Sequence, residues 1–346
     1  MPYSVLQPVT RRRRSRRARW PILLLLAALV AAAASLAATE HWALARGKPH
    51  HATRRPSATP RAAAPKRLSR LRAAASEQRA AAATPFAPGT PLLLPAKPRL
   101  EHELRARIGA PEAILVDADS GAVLWGRRQR QRRPIASTTK IMTAVLALEH
   151  LSPTKIVRIN PIVPRVALSR EGLRARERVP VWKLMYGLLL FSGNDDALQL
   201  AIGVSGSKAA FLALMNEKAR ELGLAQTHFT SPSGVVDKGN YSTARDLAAL
   251  ARYAMAIPRF RAIVRTRIAH VRWPAPTYAK TYVNKNQLLA TYGGANGVKT
   301  GWTTLAGHCL VASAKRGGKS LIAVVLHSPN PYGDVRRLLN FGFANS

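Results

Sequence analysis

At 346 residues the chain is long enough for two average domains, or for one large domain with extensions. A single cysteine, Cys309, excludes an internal disulfide framework. The formal net charge is +37, and it is not a tail effect: residues 1–99 hold 19 Lys and Arg against 2 acids, residues 100–346 hold 35 against 15. Such an excess is read either as arginine used as a default surface residue or as attraction to a polyanion.

The first elements are an address. Seven arginines between Arg11 and Arg19 precede nineteen uncharged residues, Trp20 to Ala38. A positive flank before an apolar core of that length directs the rest of the chain across the cytoplasmic membrane. Nineteen residues also suffice to span a bilayer as a helix. Residues 1–20 are thus read as a basic cytoplasmic segment and residues 21–38 as a signal peptide or a membrane anchor. Small residues at Ser35 and Ala37 permit cleavage, and Ser15-Arg16-Arg17 permits twin-arginine export. Residues 39–99 are rich in Ala, Pro, Arg and Thr and poor in large apolar side chains before Leu92. They are expected to form a disordered linker.

A folded domain is expected over residues 100–346. Ala113 to Trp125 reads as a β-hairpin turning at Asp119-Ser120-Gly121. From Pro134 to Leu148 a proline and a hydroxyl-rich step open a helix that is apolar nearly all round, and therefore buried. Residues 156–180 read as short strands, Val181 to Phe191 as one apolar helix, and residues 208–222 and 243–256 as further helices, with Gly223 as a stop signal. Residues 262–273, 307–315 and 319–327 read as strands, the last two joined through Arg316-Gly317-Gly318, and residues 333–343 as a final helix. Sequence-distant strands with helices between them predict an α+β fold, an antiparallel sheet flanked by helices. Cys309 sits in an apolar run and is expected to pack in the core.

Three short motifs carry chemistry. Ser137 and Lys140 are three apart, so they share one face of a helical turn. A serine beside a buried lysine is a nucleophile beside a base, because desolvation and a second cation favour the neutral amine. Ser152-Lys155 and Ser205-Lys208 have the same spacing and are read as structural, a turn and a helix start. Ser192-Gly193-Asn194 follows the apolar helix and offers a hydroxyl to relay a proton and an amide to bind a substrate amide. Lys299-Thr300-Gly301, before Trp302, is expected at the start of a strand. There it presents a cation and a hydroxyl to a carboxylate, beside a glycine that lets ligand approach the backbone.

The three motifs in this order resemble those of the penicillin-binding proteins and β-lactamases. The pieces Ile135 to Lys140, Leu189 to Asp195, Phe229 to Gly234, Tyr241 to Asp246 and Gly297 to Thr303 are similar to those of the serine D-alanyl-D-alanine carboxypeptidases, the low-molecular-mass penicillin-binding proteins. The resemblance runs from about residue 110 to the end. It implies the DD-peptidase/β-lactamase-like fold, in which a mainly helical subdomain accompanies the sheet. Gly193 stands where class A β-lactamases have Asp, and no Glu-x-x-x-Asn segment of the kind that deacylates penicillin occurs, so a lactamase is disfavoured. The chain also stops soon after the last helix, without the C-terminal β-domain of many carboxypeptidases, which makes the N-terminal segment the expected anchor.

By that resemblance Ser137 attacks the penultimate D-Ala carbonyl of a peptidoglycan stem peptide, and Lys140 takes its proton. Ser192 passes the proton to the leaving D-Ala, and Asn194 orients the acyl chain. Lys299, Thr300 and Gly301 bind the terminal carboxylate, and backbone N–H groups of Ser137 and Trp302 hold the oxyanion. No cofactor and no metal is implied, and the nine histidines are scattered. β-Lactams are implied as covalent inhibitors, and the enzyme is placed outside the cytoplasm, secreted or anchored. A DD-endopeptidase of the same family, cutting cross-links, and a non-catalytic wall-binding protein are the alternatives. Nucleic-acid binding is disfavoured by export and by the lack of interleaved aromatic and basic residues.

Overall fold

The computed structural model describes Phe86, Thr90–Leu94, Leu104, Arg107–Val235, Gly239–Arg272 and Ala279–Asn345. The basic segment at 1–20, the apolar segment at 21–38 and most of the expected linker lie outside the described residues.

The centre is a five-stranded antiparallel sheet. Its strands are β1 (Glu112–Asp117), β2 (Val123–Arg127), β7 (Ala295–Thr303), β8 (Gly307–Arg316) and β9 (Lys319–Ser328), in the order β2-β1-β9-β8-β7. The hairpin expected near Asp119 and that at Gly317-Gly318 are both present. Successive side chains of a strand point to opposite faces. In β1 and β9 both faces are apolar, so both must be covered. Leu115, Ala323 and Val325 pack with Val335, Leu338 and Leu339 of the last helix, Pro331–Ala344. Ile114, Ile322 and Val324 face the larger core, which holds the other helices.

Helix α1 (Lys140–His150) runs through that larger core, with Ile141, Met142, Val145 and Leu146 all buried. Burying each such side chain contributes about 1.5–3 kcal/mol, so the helix that begins at Lys140 is held by packing along its length. Around it lie α2 (Val181–Tyr186), α3 (Asn194–Ser205), α4 (Lys208–Glu221), α5 (Ala244–Ala256) and α6 (Pro258–Val264). Two-stranded ribbons, β3 (Ile156–Arg158) with β4 (Arg178–Pro180) and β5 (Ile268–Val271) with β6 (Lys280–Val283), lie outside the central sheet. The antiparallel sheet flanked by helices is the predicted architecture.

Four expectations change. Residues 262–273 do not form one strand: Pro258 starts α6, which buries Phe260, Ile263 and Val264, and only Ile268–Val271 is extended. The helix expected through Phe191 ends at Tyr186 and continues as a wider π-turn, Gly187–Phe191. Helix α3 was not expected at all. Finally, the expected linker contains core residues. Leu92 and Leu93 are buried, Arg252 donates to the Leu92 carbonyl at 2.9 Å, and Arg245 donates to those of Leu93 and Leu94. The leucine run Leu92-Leu93-Leu94 is apolar enough to dock where the rest of the linker composition is not, so the folded unit begins before Leu100.

Candidate active site

Ser137 lies in a 3-10 turn, Ala136–Thr139, that leads directly into α1. The turn is buried and opens with Ala136 at φ 46°. Lys140, the first residue of α1, is fully buried, and its Nζ makes three contacts. It lies 2.9 Å from Ser137 Oγ, 2.8 Å from Asn194 Oδ1 and 3.1 Å from the Ser233 carbonyl. The last partner comes from the Phe229–Gly234 loop, which Thr143 Oγ1 ties down by donating to the Pro232 carbonyl at 2.6 Å. Gly234, at φ 75°, passes so close to the Ala136 carbonyl that no side chain fits there.

Ser192 and Asn194 reach the site through a change of backbone. The π-turn ends with Ser192 in the left-handed region at φ 73°, and Asn194 then opens α3. The Asn194 amide is engaged at both ends: its oxygen accepts from Lys140, and its nitrogen donates to the Ala167 carbonyl at 3.1 Å. Its backbone N–H donates to the Ser169 carbonyl at 2.8 Å. Asn194 thus holds Lys140 and the 167–169 wall together. The next residue reinforces that wall, since the Asp195 carboxylate accepts from the N–H groups of Glu171, Gly172 and Leu173.

Lys299, Thr300, Gly301 and Trp302 lie inside β7, an edge strand of the central sheet, and not at its start. Gly301 presses against the Ala136–Thr139 turn: a Cβ there would sit 3.1 Å from Ser137 N. Ser137, Ser192, Thr300, Gly301 and Trp302 line one cleft of about 370 Å³. Lys140, Asn194 and Lys299 are buried beside it. All eight residues singled out in the sequence are therefore accounted for around one cavity. Ser169, Lys285, His308 and Tyr332 also line it and were not foreseen.

Three cations meet here. Burial pushes the Lys140 amine well below its usual range, and the Lys299 and Lys285 charges push it further, against a smaller pull from Asp196 and Asp195. Lys299 is lowered to about 7, by burial first and then by Lys285. Burial also lowers Lys285. A serine hydroxyl in contact with an amine that prefers to be neutral is the arrangement needed for nucleophilic attack with general-base assistance. Cys309, also on the cleft, is pushed up to about 11 by burial and packs as an apolar residue. Among the described residues no three His, Cys, Asp or Glu side chains gather as a metal site.

The model of the D-alanyl-D-alanine carboxypeptidase family matches residues 99–330. The chain belongs to that family. It is an enzyme, a serine-type D-Ala-D-Ala carboxypeptidase with the penicillin-binding-protein fold. A Streptomyces D-alanyl-D-alanine carboxypeptidase is 38% identical over 256 residues, which are 68% of this chain and 88% of that one. A Bacillus subtilis D-alanyl-D-alanine carboxypeptidase is 36% identical over 244 residues, and the match spans 62% of that longer protein. Among solved structures, a Mycobacterium tuberculosis D-alanyl-D-alanine carboxypeptidase superposes with a TM-score of 0.66 at 33% identity, covering 75% of this chain and 97% of that one. A Streptomyces DD-transpeptidase superposes with a TM-score of 0.64 at 37% identity, covering 68% and 98%.

Proposed function

We propose that Ser137 forms the acyl-enzyme with the penultimate D-Ala of a peptidoglycan stem peptide, with Lys140 as its general base. The observation that carries this reading is the 2.9 Å contact between the fully buried Lys140 Nζ and Ser137 Oγ, which lines the cleft. The neutral amine takes the hydroxyl proton as Oγ attacks the carbonyl. The oxyanion that forms is held by the N–H groups of Ser137 and Trp302. Ser192 carries the proton on to the leaving D-Ala amine, and Asn194 keeps Lys140 and the acyl chain in line. Lys299, Thr300 and Gly301 receive the terminal carboxylate. That carboxylate raises the Lys299 pKa again once bound, because an opposite charge favours the ammonium form. Water then releases the acyl group. β-Lactams acylate the same serine and leave slowly.

The N-terminal basic and apolar segments carry this domain across the cytoplasmic membrane and leave it there, released or anchored. The composition of residues 1–38 supports that placement. The residue assignments are tested by labelling with a fluorescent penicillin: the native chain takes the label covalently and Ser137→Ala does not. Undiminished labelling of the alanine variant contradicts the assignment of Ser137.

A further inference from the structure

We propose that the segment from Lys155 to Arg178 docks the acidic polymer that carries the peptide substrate, its guanidinium groups receiving carboxylates of stems other than the one in the cleft. The proposal rests on the D-Ala-D-Ala reading of that cleft and extends it to the polymer.

The segment holds seven Lys and Arg and two acids. The acids offset little of the positive charge. The Glu171 carboxylate is buried against Lys183, and Glu177, whose Oε2 accepts the backbone N–H of Arg174 at 2.9 Å, is one negative charge against seven positive ones. Among the described residues, Arg158, Arg165, Arg170, Arg176 and Arg178 form no ion pair, and all five are exposed.

The ribbon places them together. Val157 and Val179, opposed in register, are buried, so Arg158 and Arg178, the next opposed pair, face solvent side by side. Like charges directly opposed on an antiparallel pair destabilise it. An anion bridging them relieves that cost, and planar guanidinium groups match carboxylate geometry. In the excursion between the two strands, Arg170 Nη1 folds back to the Pro164 carbonyl at 2.7 Å, beside Arg165.

The same excursion reaches the catalytic cleft midway along its length. The Ala167 and Ser169 carbonyls are those that hold Asn194, and Ser169 lines the cleft. A polymer whose stem enters the cleft therefore meets this surface at its lip. Peptidoglycan strands bear free carboxylates along their stems, and they fit both the charge and the continuity with the cleft.

The test compares two substrates of the full chain at low ionic strength. One is a short diacylated peptide ending in D-Ala-D-Ala, with no other carboxylate. The other is soluble uncross-linked peptidoglycan freed of phosphate polymers. Arg158→Glu/Arg178→Glu is expected to raise KM for the polymer about tenfold, as loss of electrostatic complementarity does. The kcat and the kinetics on the short peptide are expected to stay unchanged. Arg158→Gln/Arg178→Gln is expected to fall between, and high salt to erase the difference. No change on the polymer, or an equal loss on both substrates, overturns the proposal. So does an effect seen only with strands that retain phosphate polymers. Sedimentation of Ser137→Ala protein with the phosphate-free strands reads docking alone. If the native chain neither turns over the short peptide nor takes penicillin, the catalytic reading fails, while a loss of sedimentation on charge reversal still reports the docking surface.

Discussion

Ser137-Lys140 and Ser205-Lys208 have the same spacing and opposite fates. Ser205 is the more buried serine, 3% exposed against 8% for Ser137, so burial of the hydroxyl does not separate them. Ser205 ends α3, and its hydroxyl donates to the carbonyls of Ala201 and Ser207. Gly206, at φ 82°, then turns the chain, and Lys208 opens a different helix. Ser137 and Lys140 instead belong to one continuous turn, and Lys140 points back into a buried space where its amine meets the serine oxygen. A reactive pair thus needs a shared turn, a buried lysine and a second cation nearby, and the spacing alone supplies none of these.

Lys140→Arg breaks that pair most directly. A guanidinium stays charged and cannot accept the proton, so acylation by penicillin is expected to fall by about 10³-fold, within the range that general-base catalysis supplies. Lys208→Arg and Ser205→Ala are expected to acylate at the native rate. Stopped-flow acylation, with a thermal melt to confirm folding of each variant, checks both halves. An arginine variant that acylates normally would remove Lys140 from the chemistry.

A smaller effect, on stability alone, separates residues that act from residues that hold. Deleting residues 1–85 is expected to leave stability and acylation unchanged. Deleting residues 1–94 removes the buried Leu92 and Leu93 and is expected to cost roughly 2–4 kcal/mol, with penicillin still acylating the folded fraction. Urea unfolding of the two truncations measures the difference; equal midpoints would show that the docked leucines contribute nothing.

The residues that gather at the candidate site were the most legible part of the chain. Ser137, Lys140 and the Lys299-Thr300-Gly301 run stand out because each step needs a particular side chain within a few positions of another. The central sheet was legible too, since β8 and β9 are apolar runs joined by a glycine turn. Helix α3 was hidden by Asp195 and Asp196, two buried acids in its first turn that break the apolar period. Ile263 and Val264 favour strand by their branching, yet Pro258 at the helix start and burial beside Phe260 prevail. Lys285 and Ser169 enter the cleft from loops, and nothing in their local sequence marks them, because only the tertiary fold brings them there. The Ser233 carbonyl belongs to the Phe229–Gly234 piece that the sequence did single out, but its contact with Lys140 is a product of the fold. The charge of Lys299 is likewise a property of the fold: burial lowers it to about 7, a value no motif contains.

Attack by Ser137 requires a neutral Lys140 amine. The most direct measurement follows the lysine Nζ resonances of ¹⁵N-labelled protein through a pH titration, with Lys140 assigned by its absence in Lys140→Met. Lys140 is expected to titrate well below the ordinary 10.5. Below that lowered pKa the amine is protonated and acylation is lost; above it the base is available, and the acid limb of the acylation profile should coincide with the titration. A Lys140 that remains protonated until about 10.5, in an enzyme that acylates fully at neutral pH, would contradict that requirement.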